Sequence, residues 1–235
     1  MRKNSLSQFG ASYYRDNPNY SGGYAAQEAV NRKKAQAYLN IIKKYRSSGQ
    51  LLDVGCAYGY YLIEYQRAFN VKGFDISAHA IANAKKKYPT LSRFVRVADA
   101  TKHWPYPDHS FDIVTAVEVI EHLPDQERFV RELSRVLKPG GIAFISTPNS
   151  AQRRLAQRFP SFFIPDRDPT HIGVQKPADF LKLFAPFFTP LDWHYHHPSI
   201  GKFWALENIG FPVRKLLGKL PIFNSEVYFV LKKPG

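Results

Sequence analysis

The chain has 235 residues, 44% of them hydrophobic and 15% aromatic, with a single cysteine and a formal net charge of +14. That much apolar material excludes a disordered chain, and one cysteine excludes an internal disulfide and a multi-cysteine metal cluster. No apolar run reaches the ~18 residues of a spanning helix and the basic start MRKNSLSQFG lacks the apolar stretch of a secretory signal, so no stable membrane insertion and a reducing, cytoplasmic setting are expected.

Residues 1–24 are rich in Tyr, Asn and Gly and read as irregular, with Tyr13, Tyr14, Tyr20 and Tyr24 able to form a lid. A helical pattern runs from Ala25 to Tyr45 and stops at Gly49. Strand patterns then fall at Leu51–Val54, Val71–Asp75, Phe94–Ala98, Ile113–Val117 and Ile142–Ser146. Between and after them lie helix patterns at Tyr60–Phe69, Ala78–Lys87, Asp125–Leu137 and Pro177–Phe184. This alternation predicts an α/β fold: a parallel sheet with helices on both faces. In the tail, Leu191–His196 and Val227–Leu231 read as strands that close the sheet as a hairpin. One domain is expected, with residues 1–48 as lid and helix, 49–150 as the ligand-binding core, and 151–235 as insertions and closing strands.

The charge is uneven along that plan: residues 1–50 carry +7, 51–150 carry +1 and 151–235 carry +6. Basic flanks suit an anionic acceptor, nucleic acid or an anionic surface, and equally a plain soluble surface. No RNA-binding module accompanies them, so nucleic acid is the less favoured partner.

In an open α/β sheet, ligands lie outside the carboxyl ends of the strands. The run LLDVGCAYGYYL puts Asp53 at the first strand end, then a small-residue loop with Gly55, Cys56, Ala57 and Gly59, then a helix start. Such a loop lets backbone approach a ligand and turns helix N–H groups toward it. Asp75 ends the second strand, 22 positions after Asp53, where a carboxylate can accept bonds from both hydroxyls of a ribose. Asp99 follows the third strand, where an adenine edge would sit. Asp112, at the start of the fourth strand, faces away from such a site and reads as structural. Cys56 reads as a small packing residue.

After the fourth strand comes VEVIEHLPD. If it turns as a helix, Glu118, Glu121 and His122 stand at i, i+3 and i+4 on one face. Two carboxylates and an imidazole could hold a divalent metal, with His171 of DPTHI as a fourth ligand; otherwise His122 serves as a base or packs. Mixed N/O ligands would suit Mn, Fe, Co or Zn, and Mg if substrate oxygens complete the shell. His122 and His171 are the available bases, which suits chemistry at an oxygen. Arg153, Arg154, Arg158 and Arg167 lie among Phe159, Phe162 and Phe163 and could clamp an anionic or ring-bearing acceptor. His194 and His196 share one strand face, with a surface or acceptor-pocket role. Residues 203–223 are apolar with basic punctuation and could form an acceptor cap, a dimer contact or a membrane-surface segment, the last disfavoured by Pro212 and Pro221.

The set LLDVGCAYG, VKGFDIS, VRVADA, FDIVTAVEVIEHL and LSRVLKPGGIAFISTPN resembles the class I S-adenosylmethionine-dependent methyltransferases over roughly residues 50–150. A dinucleotide dehydrogenase would want a third loop glycine where Ala57 stands. The resemblance implies a Rossmann-like, seven-stranded, mostly parallel sheet whose last strand is antiparallel. It implies S-adenosylmethionine as cofactor, with the Asp53–Gly59 loop against its methionine portion, Asp75 and Ile76 at the ribose, Asp99 and Ala100 flanking the adenine, and Glu118 nearby. The Glu-Glu-His set is similar to that of the ubiquinone-pathway O-methyltransferases, and with a further histidine to that of small-RNA 2′-O-methyltransferases. DPTHI and the tyrosine-rich start resemble methyltransferases of glycan and natural-product pathways. The implied activity is O-methylation of a small-molecule, natural-product or sugar hydroxyl; the alternatives are RNA 2′-O-methylation and small-molecule N-methylation.

Overall fold

In the computed structural model, which describes residues 6–159, 166–198 and 224–235, each apolar run becomes a strand of one sheet. In chain order these are β1 (Gln50–Val54), β2 (Asn70–Asp75), β3 (Val95–Val97), β4 (Phe111–Val117), β5 (Leu137–Pro148), β6 (Thr189–Pro198) and β7 (Asn224–Lys232). They lie in the order β3-β2-β1-β4-β5-β7-β6. The pairs from β3 through β5 are parallel, and β7 runs antiparallel between β5 and β6. The expected fold class is therefore the observed one.

The helices are α1 (Ala11–Asp16), α2 (Glu28–Ile42), α3 (Tyr60–Tyr65), α4 (Ala78–Lys87), α5 (Gln126–Val136), α6 (Ser150–Arg158) and α7 (Pro177–Phe184). Alternation along the strands feeds two cores, because successive side chains point to opposite faces. Leu51 and Ile113 pack with Tyr38, Leu62 and Ile81 from α2, α3 and α4. Leu52 and Val114, one residue on, pack with Phe129, Leu133 and Phe180 from α5 and α7. Strands buried on both sides read as the continuous apolar runs that mark a parallel sheet. Ser77, Asp125 and Asn149 cap α4, α5 and α6, each accepting from a backbone N–H of the first turn.

Two elements depart from the sequence expectation. Residues 1–24 are not wholly irregular: a 3-10 turn at Leu6–Phe9 precedes α1. Helix α6 was not among the helices read from periodicity; it carries six polar or charged residues in nine, so little apolar pattern announces it. The segment 203–223 lies outside the described residues, as do Phe162 and Phe163. Among the described residues, no helix is long and apolar enough to cross a membrane.

Candidate functional site

The strand ends β1, β2 and β4 open into one cavity of about 960 Å³. At its first end the β1–α3 loop is shaped by steric need. Gly55 sits at φ +72°, and a Cβ there would stand 2.4 Å from Val119 Cγ2. Ala57 tolerates a left-handed φ of +45° because its amide is held: it donates to Asp75 Oδ2 at 2.9 Å. Ser77 N donates to Asp75 Oδ1 at 2.8 Å, so backbone on both sides fixes this carboxylate. Burial raises the Asp75 pKa, partly offset by those hydrogen bonds. Gly55, Ala57, Asp75, Ile76, Asp99 and Ala100 all line the cavity. Asp99 Oδ1 accepts from the Thr101 amide and hydroxyl.

Asp53, Cys56 and Gly59, expected to touch the ligand, do not line the cavity. Asp53 points into the sheet, accepts the Thr115 hydroxyl at 2.6 Å, and is pushed up to about 7 by burial. The Cys56 side chain packs toward Gly73, where an added Cβ would meet its Sγ at 3.0 Å, and burial pushes the thiol well above its ordinary value. Gly59, at φ +79°, closes the loop by donating to Cys56 O at 2.8 Å.

At the other end the structure corrects the expected helix from Glu118 to His122. Glu118 has φ +56°, and only Ile120–His122 turn, as a 3-10 helix. Pro124 keeps Leu123 extended, at ψ +130°, so no α-helical turn can continue. Glu118, Glu121 and His122 therefore do not form one helical face. The donor atoms that come together are those of Glu121, His122 and His171, all within 4.8 Å of one another, and Glu118 is not among them. Glu121 is fully buried; Oε2 accepts the Thr147 hydroxyl at 3.0 Å, while Oε1 accepts no hydrogen bond among the described residues. Burial lifts Glu121 to about 7, opposed by His171. His122 and His171 line the cavity with rings 4.7 Å apart. Burial and the neighbouring His171 drop His122 to about 4. For His171, burial is outweighed by Asp166, 2.6 Å from Nδ1, and by Glu121, so its pKa rises.

Glu118 lines the cavity beside Lys34 of α2 and Glu226 of β7. Lys34 and Glu226 pair at 2.5 Å, and Glu118 Oε1 accepts no hydrogen bond among the described residues. Burial and the Glu226 charge push Glu118 well up.

The roof is built from the tyrosine-rich start. Tyr13, Tyr14, Tyr20 and Tyr24 line the cavity, and Tyr14 stacks on Tyr58 with ring centroids 5.0 Å apart. Tyr14 OH reaches Asp75 Oδ1 at 3.4 Å. The roof is tied to loop 166–173: Tyr13 OH and Asn17 Nδ2 donate to Asp168 Oδ2 at 3.0 and 2.6 Å, and Asn19 Nδ2 donates to Asp166 Oδ1 at 2.8 Å. Asp166, Asp168, Thr170 and Asn17 were not found by sequence reasoning. The one local signal was the Asp-x-Thr spacing, which here makes a turn with Asp168 Oδ1 accepting the Thr170 amide. The arginine–aromatic clamp does not form around the cavity among the described residues: Arg153 instead pairs with Asp166 at 2.9 Å, and Arg158 lies over Phe159. His194 and His196 sit by Tyr228 and do not line the cavity, although His196 pairs across the strands with Glu226, which does.

Residues 52–145 match the family model described as a methyltransferase domain. The chain is 38% identical over 102 residues to a 27-O-demethylrifamycin SV methyltransferase of Amycolatopsis mediterranei, covering 41% of this chain and 37% of that one. It is 35% identical over 109 residues to a ubiquinone biosynthesis O-methyltransferase of Neisseria meningitidis, covering 43% and 44%. These matches span less than half the length of the curated relatives. A solved SAM-dependent methyltransferase from Archaeoglobus fulgidus shares the fold, with a TM-score of 0.65 at 19% identity over 89% of this chain and 99% of that one. Residues 52–145 are thus similar to the methyltransferase domains of S-adenosylmethionine-dependent enzymes, within a sheet whose fold the solved methyltransferase shares.

Proposed function

We propose that the cavity binds S-adenosylmethionine and that the chain moves its methyl group to a hydroxyl of a small molecule, natural product or sugar. One observation carries the reading: Asp75 and Asp99 at one end, and His122 and His171 at the other, line the same cavity. Asp75 would accept the ribose hydroxyls, Asp99 and Ala100 would flank the adenine, and Glu118 Oε1 would take the donor's ammonium group. The acceptor oxygen attacks the methyl carbon in line with the sulfonium; the C–S bond breaks as the O–C bond forms, and the oxygen's proton passes to a base. His122, which lines the cavity and is neutral at neutral pH, would take it, as a weak base. Enclosure under the tyrosine roof aligns the two reactants and limits water. Relatives named for O-methylation of rifamycin and ubiquinone precursors agree with an oxygen acceptor.

The buried Glu121 Oε1, 3.9 Å from His171 Nε2 and accepting no hydrogen bond among the described residues, fits a divalent ion such as Mg, Mn, Fe, Co or Zn beside the two imidazoles. Glu121, His122 and His171 would hold it, and it would polarise a bound hydroxyl. The basic flanks favour a second reading, an RNA 2′-hydroxyl acceptor, which would bind with a steep salt dependence.

Calorimetry with S-adenosylmethionine, followed by labelled methyl transfer to a panel of polyols, phenols, amines and RNA, tests the reading. Saturable donor binding and transfer to hydroxyls are expected. No donor binding would overturn it, and transfer confined to amines would overturn the oxygen assignment. Dialysis against chelator, with metal content measured before and after, decides the ion: loss of transfer on an intact fold supports it, and unchanged transfer removes it.

A further inference from the structure

Three groups form a relay, Asp168, Thr170 and His122, held from above by Asn17 and Tyr13, so that three distant parts of the chain meet. The Thr170 hydroxyl touches two partners, Asp168 Oδ1 at 2.6 Å and His122 Nδ1 at 2.7 Å. It has one proton to give. Asp168 also accepts from the Thr170 amide on Oδ1 and from Asn17 and Tyr13 on Oδ2, so both its oxygens serve as acceptors. The hydroxyl proton must therefore point to Asp168; the reverse would place two oxygens 2.6 Å apart with lone pairs facing. What Thr170 Oγ1 offers His122 is then a lone pair. The Thr170 carbonyl, which has no proton, also lies 3.3 Å from the same Nδ1.

We infer that Thr170 and Asp168 are positioning residues that keep the proton of His122 on Nδ1, leaving Nε2 as the nitrogen with a lone pair. This inference concerns the working nitrogen of the histidine assigned under the proposed function, whether that nitrogen takes a proton or holds an ion. Fixing one ring nitrogen by an outer hydrogen bond is the way proteins choose which face of an imidazole is basic. It also gives loop 166–173 a task beyond covering the cavity: its Asp168 gathers the roof onto the relay.

The test uses the uniformly ¹⁵N-labelled full chain at one pH, after chelator treatment, in a long-range ¹H–¹⁵N correlation spectrum of its imidazoles. His122 is assigned by loss of its signals in His122→Gln. The expected result is Nδ1 in the protonated part of the range and Nε2 in the unprotonated part. The proton on Nε2 in the parent chain would overturn the inference without any variant. Thr170→Val, which removes only the hydroxyl, is expected to shift both signals toward averaged positions, and Thr170→Ser is expected to restore them. A Thr170→Val spectrum identical to the parent would also overturn it. Donor affinity by calorimetry reads the proposed function separately: retained affinity with the wrong tautomer rejects the relay alone, and absent affinity with the expected tautomer rejects the function alone.

Discussion

The two ends of the cavity are built by opposite strategies. At the β1–β2 end, Asp75 is held by backbone amides of Ala57 and Ser77, within 18 residues of it. At the β4 end, His122 is held by Thr170, 48 positions away, and Thr170 is backed by Asp168, which is held by Asn17, 151 positions away. The first end is rigid because the fold itself supplies its bonds. The second is an assembly of side chains from a strand end, a loop and a roof. A site made this way can keep one end fixed while the other changes with few substitutions.

The comparison breaks most visibly at Asp75. Asp75→Ala is expected to weaken binding of S-adenosylmethionine by about 100-fold, equivalent to two charge-assisted hydrogen bonds. Calorimetry checks it, and unchanged affinity would move the ribose elsewhere. Gly55→Ala joins the two ends, since the new Cβ would strike Val119 just before the Ile120–His122 turn. A loss of about 1–3 kcal/mol in urea unfolding is expected from the clash and the positive φ. The smallest effect belongs to Asn17→Ala, which removes one bond to Asp168. It is expected to cost about 0.5–1.5 kcal/mol of stability, to lower methyl transfer and to change donor affinity less than about twofold. An equal loss in donor affinity would show that the two ends are not separable.

How much was legible in the sequence follows the same division. Burial on both faces writes β1, β4 and β5 as apolar runs, shorter apolar patterns marked the other strands, and the loop glycines and Asp75 announced the first end. The second end was misread at one place for a local reason. The spacing of Glu118, Glu121 and His122 suggests a helix, but Pro124 denies Leu123 the helical conformation and Glu118 turns left-handed. Asn17 and Asp166 had no pattern to offer, and the Asp168–Thr170 spacing announced only a turn, because their meaning comes from contacts about 50 to 150 positions away. Helix α1 was hidden similarly: six residues without a side-chain cap, kept in place by ring contacts such as Tyr14 on Tyr58.

Tyr14 has a consequence for how the enclosure is entered. A carboxylate offers about four lone-pair positions. Ala57 and Ser77 occupy two on Asp75 and the Tyr14 phenol occupies a third. A diol needs two vacancies, so the ribose of the proposed function would take the place of the phenol. At 3.4 Å that contact is weak, a bung rather than a bolt. Its chain neighbour Tyr13 grips Asp168 through its own hydroxyl, so the stopper on the first carboxylate and the brace behind the far histidine hang from adjacent residues.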